Sequence, residues 1–173
     1  VQNASIWGKT QELLLLPRIL EAMPNVMFYW VGDGVYANKV IPLLKKYKNF
    51  EWLGSLEYPN KVRKFLSSID LYLLLSGYDT FGMTIVEAEA MQVPVIATNI
   101  GGTSETMING KTGFLVNQGD IEEIERKITL LLNDKGFSKQ MGNEGRRFVI
   151  ENFSWENSTK KFIQDIKNGI NLN

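Results

Sequence analysis

The sequence predicts an α/β fold: a doubly wound, mostly parallel sheet between two helical layers, giving a three-layer α/β/α domain. Two observations carry this. Short apolar runs alternate with amphipathic helical stretches along the whole chain. The runs are hydrophobic on both faces, as expected of parallel strands covered by helices on both sides. Strands that alternate with helices build βαβ units.

Each element has its own signal. Val1–Ile6 reads as the end of a strand, followed by Trp7-Gly8-Lys9 and a helix from Thr10 to Met23. Pro17 is expected to kink that helix or mark its first turn. Val26–Val31 reads as a strand ending at Gly32-Asp33-Gly34, Ala37–Tyr47 as an amphipathic helix, and Phe50–Leu53 as a short strand ending at Gly54. Asn60–Ser67 is helical and Asp70–Leu75 is a strand of nearly unbroken hydrophobes. Met83–Met91 is the next helix, followed by strands Val93–Thr98 and Gly113–Val116. Three helices close the chain, at Asp120–Leu132, Ser138–Glu151 and Ser154–Ile170. Asp120 with Glu123 makes a capping box, and Ser154 is a good N-cap. The reading is one domain over residues 1–173, Rossmann-like, without repeat or linker. Its mid-strand start suggests a missing N-terminal portion.

Composition removes several function classes. The 173 residues contain no cysteine and no histidine. This chain therefore supplies no disulfide framework, thiol nucleophile, Ser-His-Asp triad or H-E-x-x-H zinc site. Nineteen basic side chains balance nineteen acidic ones, leaving no global charge to attract nucleic acid. No apolar run reaches the roughly 18 residues needed to span a bilayer. Gly8-Lys9-Thr10 and Gly110-Lys111-Thr112 lack the first glycine of a P-loop, and Gly32-Asp33-Gly34 lacks the third glycine of a dinucleotide fingerprint.

Ligands of open α/β sheets bind at the carboxyl ends of the strands. Here those ends carry Trp7-Gly8-Lys9, Gly32-Asp33-Gly34, Gly54-Ser55, Ser76-Gly77-Tyr78-Asp79 and Gly101-Gly102. Turns of this kind need small residues in any case, but five on one edge point to a pocket. The most informative stretch runs from Ser76 to Met91. A strand ends, a glycine-containing loop follows, and a helix starts near Gly82. A helix N-terminus presents free N–H groups and the positive end of the dipole, which suits a phosphate. Asp79 precedes that seat and Glu87 lies on the helix behind it. Two carboxylates would repel a diphosphate on contact, so they suit sugar hydroxyls on either side of it. A purely structural reading has Asp79 capping the helix and Glu87 in solvent. The apolar neighbours Ile85, Val86, Ala88, Ala90 and Met91 weigh against that for Glu87.

These motifs together resemble the C-terminal, donor-binding domain of glycosyltransferase family 4, the group 1 retaining enzymes of GT-B fold. The pattern is a Ser-x-x-Glu-x-Phe-Gly stretch with a second Glu eight positions after the first. A Gly-x-Pro-Val strand and a Gly-Gly-x-x-Glu turn follow. Here these are Ser76 to Gly82, Glu87-Ala88, Gln92-Val93-Pro94-Val95 and Gly101-Gly102-Thr103-Ser104-Glu105. Val31 to Gly34, Phe50 to Gly54, Thr112 to Val116 and Phe153-Ser154-Trp155 match in the same order.

The resemblance implies a nucleotide-diphosphate sugar as donor, an acceptor glycan or lipid, and a missing N-terminal domain of the same protein as partner. It implies that Asp79 and Lys9 act in catalysis, Asp79 on donor-sugar hydroxyls and Lys9 on the diphosphate. Backbone amides of Phe81, Gly82, Met83 and Thr84 would hold sugar and diphosphate, and Glu87 the ribose. Gly32, Gly54 and Leu56 would line the nucleotide pocket. No cofactor or metal is expected, and the sequence has no Asp-x-Asp motif. The expected location is cytoplasmic, with peripheral contact at the inner membrane face an option for the full-length protein. This sequence departs from the pattern in four places. Asp79 stands for the usual Glu, Thr10 for a Gly after the lysine, and Gln92 for a common Gly. Asn3 or Ala4 occupies the position of a second cation. A non-catalytic nucleotide-sugar-binding or scaffolding module and a GT-B epimerase domain are the alternatives. In the resembling enzymes the last helix packs across the N-terminal domain, so Phe162 and Ile166 are expected to be exposed.

Overall fold

The computed structural model describes residues 4–170. Five strands are observed: β1 (Phe28–Val31), β2 (Phe50–Gly54), β3 (Tyr72–Leu74), β4 (Val95–Thr98) and β5 (Gly113–Val116). All pairings are parallel. They form two ladders, β1-β2 and β3-β4-β5. The helices are α1 (Trp7–Thr10), α2 (Leu16–Ala22), α3 (Ala37–Leu44), α4 (Asn60–Leu66), α5 (Met83–Ala90), α6 (Ile121–Asn133), α7 (Lys135–Phe153) and α8 (Trp155–Ile170). Short 3-10 turns cover Gln11–Leu15 and Gly101–Glu105.

Three layers follow from the alternation of strand side chains. Ile96 joins a core made with Leu16, Ile19, Val40, Leu44, Ile124 and Ile128, from α2, α3 and α6. Its neighbours Val95 and Ala97 join a second core with Val62, Leu66, Ile85 and Ala88, from α4 and α5. Adjacent residues of one strand thus point into opposite cores, as the two-residue strand period requires. Burying Ile96 and Val95 fully on both sides is what selects apolar residues along the whole strand.

Element ends obey local chemistry. The Asp120 carboxylate accepts from the Glu123 N–H at 3.0 Å, and Asp134 caps α7 through the Phe137 N–H at 2.9 Å. Both satisfy N–H groups that a helix start leaves open. The Asp134 cap explains why α7 begins three residues before the expected Ser138. Ser154 caps α8 as expected, with its hydroxyl 3.3 Å from the Asn157 N–H. Pro17 sits in the first turn of α2, where its missing N–H is harmless. The helix expected over Thr10–Met23 is in fact α1, a 3-10 turn and α2.

The strand expected over Val1–Ile6 is not observed among the described residues, and Val1–Asn3 lie outside them. Ala4 is nonetheless tied to the sheet: its N–H donates to the Asp33 carbonyl at 2.8 Å and its carbonyl accepts from Tyr36 at 3.0 Å. On α8, Phe162 and Ile166 are exposed as expected. No helix among the described residues is long and apolar enough to cross a membrane.

Candidate nucleotide-sugar site

The carboxyl ends of the strands hold the candidate residues. β3 runs into Leu75 and Ser76, whose backbone is fixed by Thr98 at the end of β4. The Ser76 N–H donates to Thr98 Oγ1 at 2.9 Å, and that hydroxyl lies 2.9 Å from the Ser76 carbonyl. Both residues are fully buried, so the loop that follows leaves a rigid base.

The loop then turns into α5. Asp79 Oδ1 accepts from the Gly82 N–H at 3.0 Å, with the Phe81 N–H at 3.4 Å. Its other oxygen, Oδ2, pairs with Lys9 Nζ at 3.3 Å. The capping reading of Asp79 is therefore observed, and the same carboxylate also joins α1 to the start of α5. Gly82 has φ +82°, a left-handed conformation that a side chain disfavours. The turn leaves the N–H groups of Met83 and Thr84 at the helix start without intrahelical acceptors. The Thr84 hydroxyl accepts from Tyr72 at 2.8 Å, and burial pushes the Tyr72 phenol well above its ordinary range.

A second loop supports the first from below. A Cβ on Gly102 would stand 2.2 Å from the Thr80 carbonyl oxygen, and one on Gly101 would stand 1.9 Å from that of Asp79. Only glycine lets these backbones approach so closely. The Phe81 ring packs edge-on against Phe153 at the end of α7, with centroids 5.5 Å apart. The sequence marked both segments as motifs but gave no sign that they touch the Asp79 loop.

Gly32 and Gly54 meet across β1 and β2. The Gly32 N–H donates to the Gly54 carbonyl at 2.8 Å, and the Gly32 carbonyl accepts from Trp52 Nε1 at 2.9 Å. Leu56 is half-buried against the core beside α4 and α5. Glu87 is half-buried too, not in open solvent. Burial pushes its carboxyl above the ordinary range, and a hydrogen bond with the Tyr58 hydroxyl draws it part of the way back. Tyr58 was missed by the sequence reading, because an exposed tyrosine in a loop carries no pattern. The structure thus brings together Lys9, Asp79, Phe81 and Gly82 as one group. It joins Gly32 to Gly54, and links Glu87 to the loop that carries Leu56.

Among the described residues no group of three or more metal-ligating side chains gathers. The arrangement can hold an anion at a helix start beside a lysine, with two carboxylates placed to accept hydroxyls.

The chain is 32% identical over 146 residues to N-acetyl-alpha-D-glucosaminyl L-malate synthase of Bacillus anthracis, which covers 80% of this chain and 38% of that enzyme. It is 38% identical over 96 residues to the capsular polysaccharide biosynthesis glycosyltransferase CapM of Staphylococcus aureus, covering 53% of this chain and 25% of the relative. The chain thus spans well under half the length of these relatives. The fold matches the crystal structure of Anabaena HepE in complex with UDP-glucose, with a TM-score of 0.80 at 20% identity, over 94% of this chain and 46% of that one. The family model for glycosyl transferases group 1 matches residues 9–148, so the chain belongs to the group 1 glycosyltransferases.

Proposed function

We propose that this chain is the donor-binding, C-terminal domain of a retaining family 4 enzyme of GT-B fold. The whole protein would move a sugar from a nucleotide-diphosphate sugar to an acceptor glycan or lipid. The observation that carries the reading is the Asp79 carboxylate held between Lys9 and the Gly82 N–H. With donor bound, Lys9 turns from Asp79 to the diphosphate, joined there by the Met83 and Thr84 N–H groups. Asp79 accepts donor-sugar hydroxyls, and Glu87 accepts those of the ribose. Gly32, Gly54 and Leu56 line the nucleotide.

The acceptor hydroxyl attacks the anomeric carbon on the face that the diphosphate leaves. The carbon–oxygen bond to the diphosphate breaks, the departing phosphate takes the electron pair and the charge, and one of its oxygens takes the proton of the attacking hydroxyl on that same face. Lys9 and the start of α5 stabilise that charge where it develops. No protein nucleophile and no metal is needed in this scheme. The acceptor site belongs to an N-terminal domain, so this chain alone binds donor but transfers no sugar.

The test is a thermal-shift screen of the chain against UDP, GDP and ADP sugars. Binding to the folded state alone raises Tm by mass action. At least one donor should raise Tm, and Glu87→Ala should abolish the rise. A flat response to all donors would refute donor binding, and sugar transfer by this chain alone would refute the division of labour.

A further inference from the structure

Tyr72 opens β3, and its ring lies in the core shared with Val62, Leu66, Ile85 and Ala88. From there its hydroxyl reaches the first turn of α5 and donates to Thr84 Oγ1 at 2.8 Å. A buried phenol that keeps its proton has to donate it somewhere. Burial is the main cause that keeps it protonated, and the Glu87 and Asp79 carboxylates push the same way. The phenol is therefore within electrostatic reach of both acids of the site.

Accepting that bond limits where the Thr84 proton can go. The lone pair toward Tyr72 is taken, so the threonine's own O–H has to donate elsewhere. A threonine in a helix often donates back to a carbonyl three or four residues earlier. For Thr84 those residues are Phe81 and Thr80, in the loop before α5. Among the described residues the bond from Tyr72 is the one hydrogen bond of the Thr84 hydroxyl. Other threonines behave differently: the hydroxyls of Thr10, Thr98, Thr103 and Thr106 all donate to backbone carbonyls at 2.9 Å. The Thr84 proton is left for a group outside the chain.

Its position says what kind of group. Thr84 is the second residue of α5 and only half-buried. Its N–H, like that of Met83, lacks an intrahelical acceptor. One residue thus offers two proton donors at the positive end of the α5 dipole, which suits an anion.

We propose, on the donor-binding reading above, that the Thr84 hydroxyl donates to a phosphate oxygen of the nucleoside diphosphate and that Tyr72 is the positioning residue that aims it. The bonds form a chain, from Tyr72 O–H to Thr84 O–H to phosphate. Each bond polarises the next, and the last is charge-assisted. No proton moves along it, because the phenol holds its own.

Paired titrations test this. UDP, GDP and ADP, each beside its nucleoside, are titrated into the chain and followed by NMR. Thr84→Val should weaken diphosphate binding at least about tenfold, the size of a charge-assisted hydrogen bond, and leave the nucleosides unchanged. Thr84→Ser keeps the hydroxyl and should bind as the parent does. Tyr72→Phe leaves the hydroxyl unaimed and should weaken the diphosphates about threefold, again without effect on the nucleosides. Because Thr84→Val takes an acceptor from the buried Tyr72 hydroxyl, the double variant Thr84→Val/Tyr72→Phe guards against misfolding by removing both ends of the bond. Its loss should equal that of Thr84→Val and not the product of the two. Parental diphosphate affinity in the double variant would overturn the proposal. So would equal losses for diphosphate and nucleoside, which would mean that the pair serves only the fold. A parent chain that binds none of the three diphosphates would overturn the donor-binding reading itself, and this contact with it.

Discussion

Lys9 Nζ and Asp79 Oδ2 lie 3.3 Å apart although seventy residues separate them in sequence. The same carboxylate caps α5 through the Gly82 N–H, so one side chain positions both a cation and a helix start. Lys9→Met removes the cation and leaves the cap. Asp79→Asn keeps a capping oxygen and releases the cation. A charge-assisted contact contributes about 1.5–3 kcal/mol. UDP affinity, measured by calorimetry, should fall tenfold or more in Lys9→Met and be retained in Asp79→Asn. Equal losses in both variants would mean that the pair serves the fold and not the ligand.

The glycines beneath the Asp79 loop give a second prediction. Gly102→Ala places a methyl 2.2 Å from the Thr80 carbonyl oxygen. Backbone cannot yield cheaply, so the cost should be about 1–3 kcal/mol of stability. The loop must move as well, so nucleotide affinity should drop with it. Gly110→Ala is the control, because open space surrounds that position and only its φ of +77° opposes a side chain. It should cost stability by urea unfolding yet leave UDP binding intact. If Gly102→Ala binds UDP normally, the loop is not the site.

Much of this was legible because local chemistry decides it. The strand cores were visible in unbroken runs such as Val95–Ala97, and the caps in Asp120 and Ser154. Glycines at strand ends marked the carboxyl edge of the sheet. What was not legible was tertiary. The Tyr58 contact with Glu87 joins a loop to α5, and the two segments share no pattern. The packing of Phe153 on Phe81 and of Gly102 on Thr80 depends on how the chain returns to itself. The division into two ladders was also hidden, because a run of apolar residues says that a strand is buried but not which strands flank it.

Gln92 departs from the glycine common in the resembling pattern, and its backbone shows the consequence. It has φ +62°, the one left-handed non-glycine among the described residues. Such a conformation costs a side-chain-bearing residue about 1–2 kcal/mol. Its amide recovers part of this by donating to Asn143 at 2.7 Å. Gln92→Gly relieves the strain, loses an exposed hydrogen bond and increases the freedom of the unfolded chain by about 0.5–1 kcal/mol. The net gain should be roughly 0.5 kcal/mol. Gln92→Ala keeps the strain and loses the bond, so urea midpoints should rank Gly above Gln above Ala. An alanine variant as stable as glycine would show that the backbone is not strained there.

Glu89 makes stability depend on pH in a direction unusual for a carboxylate. It is fully buried where α5 meets α7, beside Gly145, and neither oxygen has a hydrogen-bond partner. Burial pushes its carboxyl up to about 8; the Thr112 hydroxyl lies near enough to offset part of this but forms no hydrogen bond of good geometry with it. Between the ordinary carboxylate range, near 4.5, and about 8, the folded state therefore holds a proton that the unfolded state has released. Stability is then full below that range, falls as pH rises through it, and levels off above about 8. The cost at high pH should be roughly 2–4 kcal/mol, since each pKa unit corresponds to about 1.4 kcal/mol and local relaxation recovers some of it. Glu89→Leu removes the titration and restores an apolar contact. Urea unfolding of both proteins at pH 5 and pH 9 isolates the effect, because other titrating groups cancel in the difference. The leucine variant should gain several times more at pH 9 than at pH 5. An equal gain at both would mean that the carboxyl finds water or a cation in solution and ionises at its ordinary pKa.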